Sequence, residues 1–220
     1  DLSEAVATAR EMINKEKYPY PLDEDVENLI GQLGEIRDRV IWAPGRVVWD
    51  NPYLITEGEK VDDIQEAIYR KLESLEEELL IESAYFVVKD RGVESARHLK
   101  ERGVRVRVLT NSLASNDVVA AHAGHAERRK DLIENGVELY EMRPDAGAPK
   151  KQMFSGESKA SLHTKAILLD HRWVLLGSLN VDPRSIKINT EHMLVIDSPT
   201  LAEQMRAQFE SMCSLENAWA

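Results

Sequence analysis

Very little in this chain would hold it together or anchor it from outside its own core. A single cysteine, Cys213, among 220 residues leaves no intrachain disulfide. It falls in an expected C-terminal helix, far from the polar motif described below, and is not read as a nucleophile. No apolar run approaches the roughly 20 residues needed to span a bilayer, no stretch has the organisation of a signal peptide, and no internal repeat is present. Cationic surplus is also missing: 28 Lys and Arg face 39 Asp and Glu, a net charge of −11. The deficit is uneven. Residues 1–100 carry 13 cationic and 23 anionic side chains, a net −10, and residues 101–220 a net −1. Residues 151–190 carry six cationic and three anionic side chains, a net +3. An acidic protein with one locally basic segment suits a small anionic group. A long polyanion needs a wider basic stripe, so nucleic acid is an unlikely partner. The acidic clusters Asp23-Glu24-Asp25 and Glu76-Glu77-Glu78 read as solvated helix faces.

What is present is a regular alternation of strand and helix patterns. Residues 3–15 and 23–40 have helical apolar spacing, broken between by Pro19 and Pro21. Val47–Trp49 reads as a short strand, Asp62–Leu80 as a charged amphipathic helix and Leu79–Val88 as a buried strand. Arg91–Arg102 is an expected helix closed by Gly103, followed by a strand at Val104–Thr110. Asn116–Asn135 is another, closed by Gly136 and followed by a strand at Val137–Met142. Residues 143–160, with two prolines and two glycines, read as a loop. Two strands at Thr164–Leu169 and Trp173–Leu176 flank the polar Asp170-His171-Arg172 as a hairpin, and Glu191–Asp197 reads as a further strand. A last helix is expected from Pro199 to Cys213, N-capped by Ser198. Strand–helix–strand repeats ending in a hairpin predict an α/β fold, a mixed β-sheet flanked by helices on both faces. The chain length suits one core with an appended helical segment. The expected division is a helical connecting segment at 1–45 and a catalytic domain at 46–220.

The chemistry concentrates in the hairpin, SLHTKAILLDHRWVLLGSLN at 161–180. Its spaced polar residues are His163, Lys165, Asp170, Gly177, Ser178 and Asn180. Side chains i and i+2 of a strand share a face, so His163 and Lys165 point the same way and Thr164 the other. If the second strand pairs back antiparallel, Ser178 and Asn180 arrive beside that end. An imidazole, an ammonium, a hydroxyl and a carboxamide would then meet at one point, a site for a phosphate oxyanion. Burying Lys and His in such a hairpin is costly unless they are paired or poised for a ligand. Asp170 stands apart, because its place at the turn is as well explained by turn hydrogen bonding, and its first role is structural.

These residues resemble the HKD motif of the phospholipase D superfamily, matching position by position at His163, Lys165, Asp170, Gly177, Ser178 and Asn180. Glu191, in Asn189-Thr190-Glu191, falls where that family carries an acidic residue that orients the nucleophilic histidine. Leu109–Ala114, His122-Ala123-Gly124 and Val137–Glu141 resemble the second half of bacterial cardiolipin synthase-like proteins, and Ala84 departs from the proline usual there. The resemblance covers roughly Ile41 to Glu210 and implies an enzyme. Its catalytic set is His163, Lys165, Asp170 and Glu191, its phosphate-binding set is Lys165, Ser178 and Asn180, and His122, Asn111 and Tyr85 form a second tier of the pocket. No cofactor and no metal are expected; His122 and His125 are three apart on a helix but lack carboxylate or thiolate companions.

The implied reaction is two-step phosphoryl transfer through a phosphohistidine. A neutral imidazole is a competent nucleophile because its ordinary pKa is about 6.5. The acceptor decides the outcome: a phospholipid hydroxyl gives cardiolipin-type phosphatidyl transfer, and water gives a phospholipase D-type hydrolase. In this superfamily a second motif's histidine protonates the leaving alkoxide, and only one motif is present here. The resemblance therefore implies a second HKD half, from a preceding segment of a longer protein or from a homodimer mate. An anionic glycerophospholipid is the expected substrate and a peripheral membrane surface or the cytoplasm the expected location. A homodimeric single-motif nuclease and a catalytically incomplete phosphate-binding half-domain are the rival readings.

Overall fold

A computed structural model describes residues 39–52, 63–116, 118–147 and 161–220, together with residues 31, 34, 35 and 37. The helices expected at 3–15 and over most of 23–40 lie outside the described residues. The chain divides into two compact units, Asp1–Trp42 and Ala43–Ala220, and the second contains every element below.

Its strands are β1 (Gly45–Trp49), β2 (Glu78–Ser83), β3 (Arg105–Asn111), β4 (Val137–Met142), β5 (Lys165–Leu169), β6 (Trp173–Gly177), β7 (His192–Asp197) and β8 (Ala218–Trp219). The helices are α1 (Asp63–Glu73), α2 (Asp90–Glu101), α3 (Val119–Glu134), α4 (Pro183–Lys187) and α5 (Pro199–Met212). One eight-stranded sheet has the order β1-β7-β6-β5-β2-β3-β4-β8. Strands β2, β3 and β4 are parallel, whereas β5, β6, β7 and β1 follow antiparallel on one side and β8 on the other. The α/β mixed sheet expected from the sequence is the fold.

Strand alternation sends side chains to two cores. On one face Leu79, Val106, Val108, Ile167 and Leu175 join Ile64 of α1, Ala96 and Leu99 of α2, and Leu132 of α3. On the other Leu80, Leu109, Leu168 and Val174 pack against Ala202, Phe209 and Met212 of α5. Helices thus cover both faces. Beneath α5 a buried ion pair, Arg107 Nη2 to Glu78 Oε1 at 2.8 Å, links β3 to β2, with the guanidinium 5.3 Å from the Phe209 ring.

Local signals explain the boundaries. Gly103 and Gly136 take φ of 79° and 85° just past α2 and α3, a left-handed cap that favours glycine. Ser198 Oγ accepts the Leu201 N–H at 3.2 Å and starts α5. The helix expected to run to Leu80 stops at Glu73, because Asp170 captures the next backbone turn. Its carboxylate accepts the N–H groups of Glu76, Glu77 and Glu78 at 2.9, 2.7 and 3.1 Å. Two elements had no sequence expectation. The five-residue α4 is capped by Asp182, which accepts from Arg184 and Ser185, and β8 is a two-residue pairing with Glu141 and Met142.

Among the described residues, no helix is long and apolar enough to cross a membrane.

Candidate active site

The sheet order brings the motif to one edge. Parallel β2, β3 and β4 end there, β5 begins there, and β6 ends there. Lys165 pairs with Ser83, the last residue of β2, and Ala166 pairs with Leu176, so one further step sets Gly177 beside Lys165. After β2 the chain continues to β3 and β4 on one side and returns as β5 on the other. The carboxyl edge of the parallel strands at such a switch of direction is where open α/β sheets bind ligands.

Lys165 shares its face with Ile167 and Leu169 of the α1–α2 core, while Ala166 and Leu168 serve the α5 core. His163, two residues before Lys165, is exposed. The Lys165 ammonium donates to the His163 carbonyl at 2.8 Å. At the end of β6 a glycine is required: a Cβ on Gly177 would lie 2.1 Å from the His192 carbonyl oxygen. That close approach seats Ser178 against β7. The Ser178 N–H donates to the His192 carbonyl at 3.0 Å, its Oγ accepts the His192 N–H at 3.1 Å, and its hydroxyl donates to Glu191 Oε2.

Asn180 is 8 % exposed, and its buried Oδ1 has no hydrogen-bond partner. Leaving such a group unsatisfied costs about 1–3 kcal/mol. Backbone contacts of the next residue hold it in place: the Val181 N–H donates to Ser83 Oγ at 3.0 Å and the Val87 N–H to the Val181 carbonyl at 2.7 Å.

Glu191 is buried and lies at the same edge, though no hydrogen bond joins it to His163 among the described residues. Its carboxylate takes the Ser178 hydroxyl and, at 3.0 Å, the Asn189 carboxamide. Asp50, just past β1, grips its backbone. Asp50 Oδ2 accepts the Glu191 N–H at 3.2 Å, and the Asp50 N–H donates to the Glu191 carbonyl at 2.9 Å. Sequence reasoning missed Asp50 and Asn189 as supports. A carboxylate 141 positions away leaves no local signal, whereas Asn189 had one, since it precedes Glu191 by two residues.

Asp170 is not at this edge. It closes the opposite end of β5, five residues beyond Lys165 and so about 16 Å away at about 3.3 Å per residue. There it and His171 take φ of 48° and 54° in the hairpin turn. Asp170 clamps the α1–β2 turn through the N–H groups of Glu76, Glu77 and Glu78.

Asn111 is the last residue of β3. It is 2 % exposed, and its carboxamide donates to the carbonyls of Ala84 and Leu162 at 3.1 and 2.9 Å. Its Oδ1 accepts the Leu162 N–H at 2.8 Å and the Ser115 hydroxyl at 3.2 Å. Both polar atoms of the carboxamide thus bond Leu162, the residue before His163, and share themselves with Ala84 and Ser115. Tyr85 is half-buried beyond the end of β2, its carbonyl accepting the Ser83 hydroxyl at 2.7 Å.

His122 lies on α3 with its Nδ1 buried and without a partner. Burial, more than its neighbours His125 and Arg129, lowers its pKa, with Glu141 pulling the other way. The imidazole is therefore neutral at physiological pH. His125 beside it is fully engaged, Nδ1 with the Phe86 carbonyl at 3.0 Å and Nε2 with Glu141 Oε1 at 3.1 Å. Burial raises the Glu141 pKa, yet the His125 bond and the Arg129 charge outweigh it and leave that carboxyl below its ordinary value. Cys213 is pushed up to about 12, chiefly by burial, so its thiol stays protonated and unreactive.

Comparison with known proteins shows the family and the fold. The chain is 38 % identical over 177 residues to cardiolipin synthase C of Escherichia coli K12, covering 77 % of this chain and 37 % of that protein. Cardiolipin synthase B of the same strain is 26 % identical over 175 residues, covering 80 % of this chain and 35 % of that protein. The chain thus spans little more than a third of these relatives' length. Among solved structures, the phospholipase D family member Nuc from Salmonella typhimurium superposes with a TM-score of 0.54 at 19 % identity, covering 77 % of this chain and 93 % of Nuc. Phosphatidylserine synthase of Haemophilus influenzae gives 0.54 at 16 % identity, covering 96 % of this chain and 53 % of that one. At those identities the likeness is one of fold. Residues 68–213 match the family described as cardiolipin synthase, PLD-like domain, a span that includes the whole motif hairpin, and to that family this chain belongs.

Proposed function

We propose that this chain carries the phosphohistidine-forming half of a phosphatidyl-transfer site acting on an anionic glycerophospholipid, within a catalytic domain at 46–220. The observation that carries the reading is the sheet edge where Lys165 pairs with Ser83 at the end of β2, Ser178 and Asn180 follow β6 and the exposed His163 precedes β5. An ammonium and carboxamide N–H groups are donors for phosphate oxygens, and an imidazole beside them is a nucleophile.

One ring nitrogen of His163 attacks the phosphodiester phosphorus, and the bond to the leaving alcohol breaks. The other nitrogen keeps its proton and needs an acceptor. A carboxylate offers about four lone-pair positions, so the bonds Glu191 takes from Ser178 and Asn189 leave capacity for a turned His163. Lys165 and Asn180 supply charge and hydrogen bonds to the non-bridging oxygens as negative charge grows on them. The leaving alkoxide takes a proton from the histidine of a second HKD half, a contribution of about 100- to 10,000-fold. The hydroxyl of a second phospholipid then attacks the phosphohistidine, its proton passing to the now neutral histidine of the second half, and the phosphorus–nitrogen bond breaks to release His163. Such a protein meets its substrate at the membrane surface.

The test offers phosphatidylglycerol in mixed micelles to this chain alone and to a protein holding both motifs. Cardiolipin formed only with both motifs is the expected result. Release of phosphatidic acid alone would make the protein a hydrolase. Efficient metal-independent cleavage of DNA by this chain as a homodimer would defeat the lipid assignment.

A further inference from the structure

The sheet face that carries Lys165 also bounds a cavity of about 350 Å³, inside the range of ligand pockets, about 300–1,000 Å³. Its floor is aliphatic and comes from alternate residues of three strands: Leu79, Ile81, Val106, Val108 and Ile167. Its roof is Ile68 and Leu72 of α1 with Ala96 and Leu99 of α2. Leu132 and Val137 close one end, and Leu179 and Val181, the neighbours of Asn180, form another wall. Protein interiors ordinarily leave few voids larger than a water molecule, and an apolar void of this size forfeits dispersion contacts unless something fills it.

The mouth differs in character. Among the described residues, three that line it are exposed, Lys89, Arg91 and Lys187, and all three are cationic. No carboxylate among the described residues lines the cavity. Asp90, between the first two cations, is drawn off by Arg128 at 2.5 Å. Arg91 is held at the rim over the Tyr69 ring, 4.3 Å from its centroid. An apolar interior behind a wholly cationic rim matches a molecule with a hydrocarbon body and an anionic end.

We infer that this cavity is a binding site for one alkyl chain bearing an anionic head group, with the chain between α1–α2 and the sheet and the head at Lys89, Arg91 and Lys187. The chain is that of a free fatty acid or one chain of an anionic phospholipid; both present the same chemistry to these residues. The site goes beyond the transfer reading and stands even if this chain has no turnover of its own.

The test is fluorescence titration of the purified chain with cis-parinaric acid below its micellar concentration. Saturable one-to-one binding is expected, and its absence overturns the inference. Ala96→Trp, which fills the roof, and Ser95→Trp, at the more accessible rim, should each weaken binding at least tenfold, with circular dichroism confirming the fold. Unchanged affinity in a folded Trp variant would overturn the location. Arg91→Glu with Lys187→Glu should weaken the acid about tenfold, and equally tight binding of dodecyltrimethylammonium to the unaltered chain would overturn the anionic head. Lys165→Ala should leave the titration unchanged; loss of binding there would place the probe in the phosphate site and overturn the separate one. Displacement of the probe by oleate, or by lysophosphatidylglycerol, supports the site and names the source of the chain.

Discussion

The hydroxyl of Ser178 is committed to the carboxylate of Glu191 across the gap between β6 and β7. A hydroxyl has one proton to donate, so while it serves Glu191 it cannot also serve a phosphate oxygen. Ser178 and Lys165, equivalent in the motif, are therefore expected to differ in kinetics.

Lys165→Ala should lower kcat/KM in the two-motif protein by about 100- to 1000-fold, as for loss of a direct oxyanion donor. Ser178→Ala, acting through Glu191, should cost about tenfold. Steady-state kinetics on phosphatidylglycerol decide this, and equal losses would mean that the hydroxyl turns to the phosphate in the bound state.

His163→Asn should abolish turnover, by about 1000-fold or more, with an unchanged melt because His163 is exposed. His122→Ala should reduce turnover much less. Acid-labile phosphate trapped on the protein during turnover would be present in His122→Ala and lost in His163→Asn. Activity of His163→Asn equal to that of the unaltered protein would remove the covalent route.

Asp170→Ala should act on stability first. Three backbone N–H groups lose a charged acceptor at once, and hydrogen bonds to charged groups contribute about 1.5–3 kcal/mol each. A loss of about 2–4 kcal/mol on urea unfolding is expected, with kcat nearly retained at temperatures where the variant is folded. A large fall in kcat with an unchanged melt would instead place Asp170 in the catalytic group.

Glu82 sets a pH dependence. It is 5 % exposed, without a hydrogen bond or ion pair among the described residues, and burial pushes its carboxyl from 4.5 up to about 7. The folded chain then holds a proton that the unfolded chain has already lost between those values. Stability from this group is present at low pH and is lost as pH rises from about 4.5 through 7, a span of about 3 kcal/mol. Glu82→Gln should flatten that slope and raise stability at pH 8 relative to the unaltered chain, read from urea midpoints at pH 5 and pH 8. Parallel profiles for the two proteins would refute the assignment.

Much was fixed by the sequence alone because its causes are local. Continuous apolar runs marked the two strands of the hairpin, and the segment after Gly136 marked β4. Gly103, Gly136 and Ser198 marked helix ends through backbone conformation and a capping oxygen three residues away. The spacing from His163 to Asn180 singled out the phosphate-handling residues, since strand periodicity and one tight turn relate them. Tertiary structure decided what those residues do to one another. Asp170 sits in the motif, yet its partners are 92 to 94 positions upstream, so only the β2–β5 pairing shows that it holds a turn. Asn111 reads as a pocket residue until Leu162, 51 positions on, consumes its carboxamide. Glu191 depends on Asp50, 141 positions away, and the cavity behind the cationic rim exists only because α1, α2 and the sheet meet without filling the space between them. A hydrogen bond or a void between distant segments leaves no periodicity to read, because nothing in the spacing of a chain records which far segment folds against it.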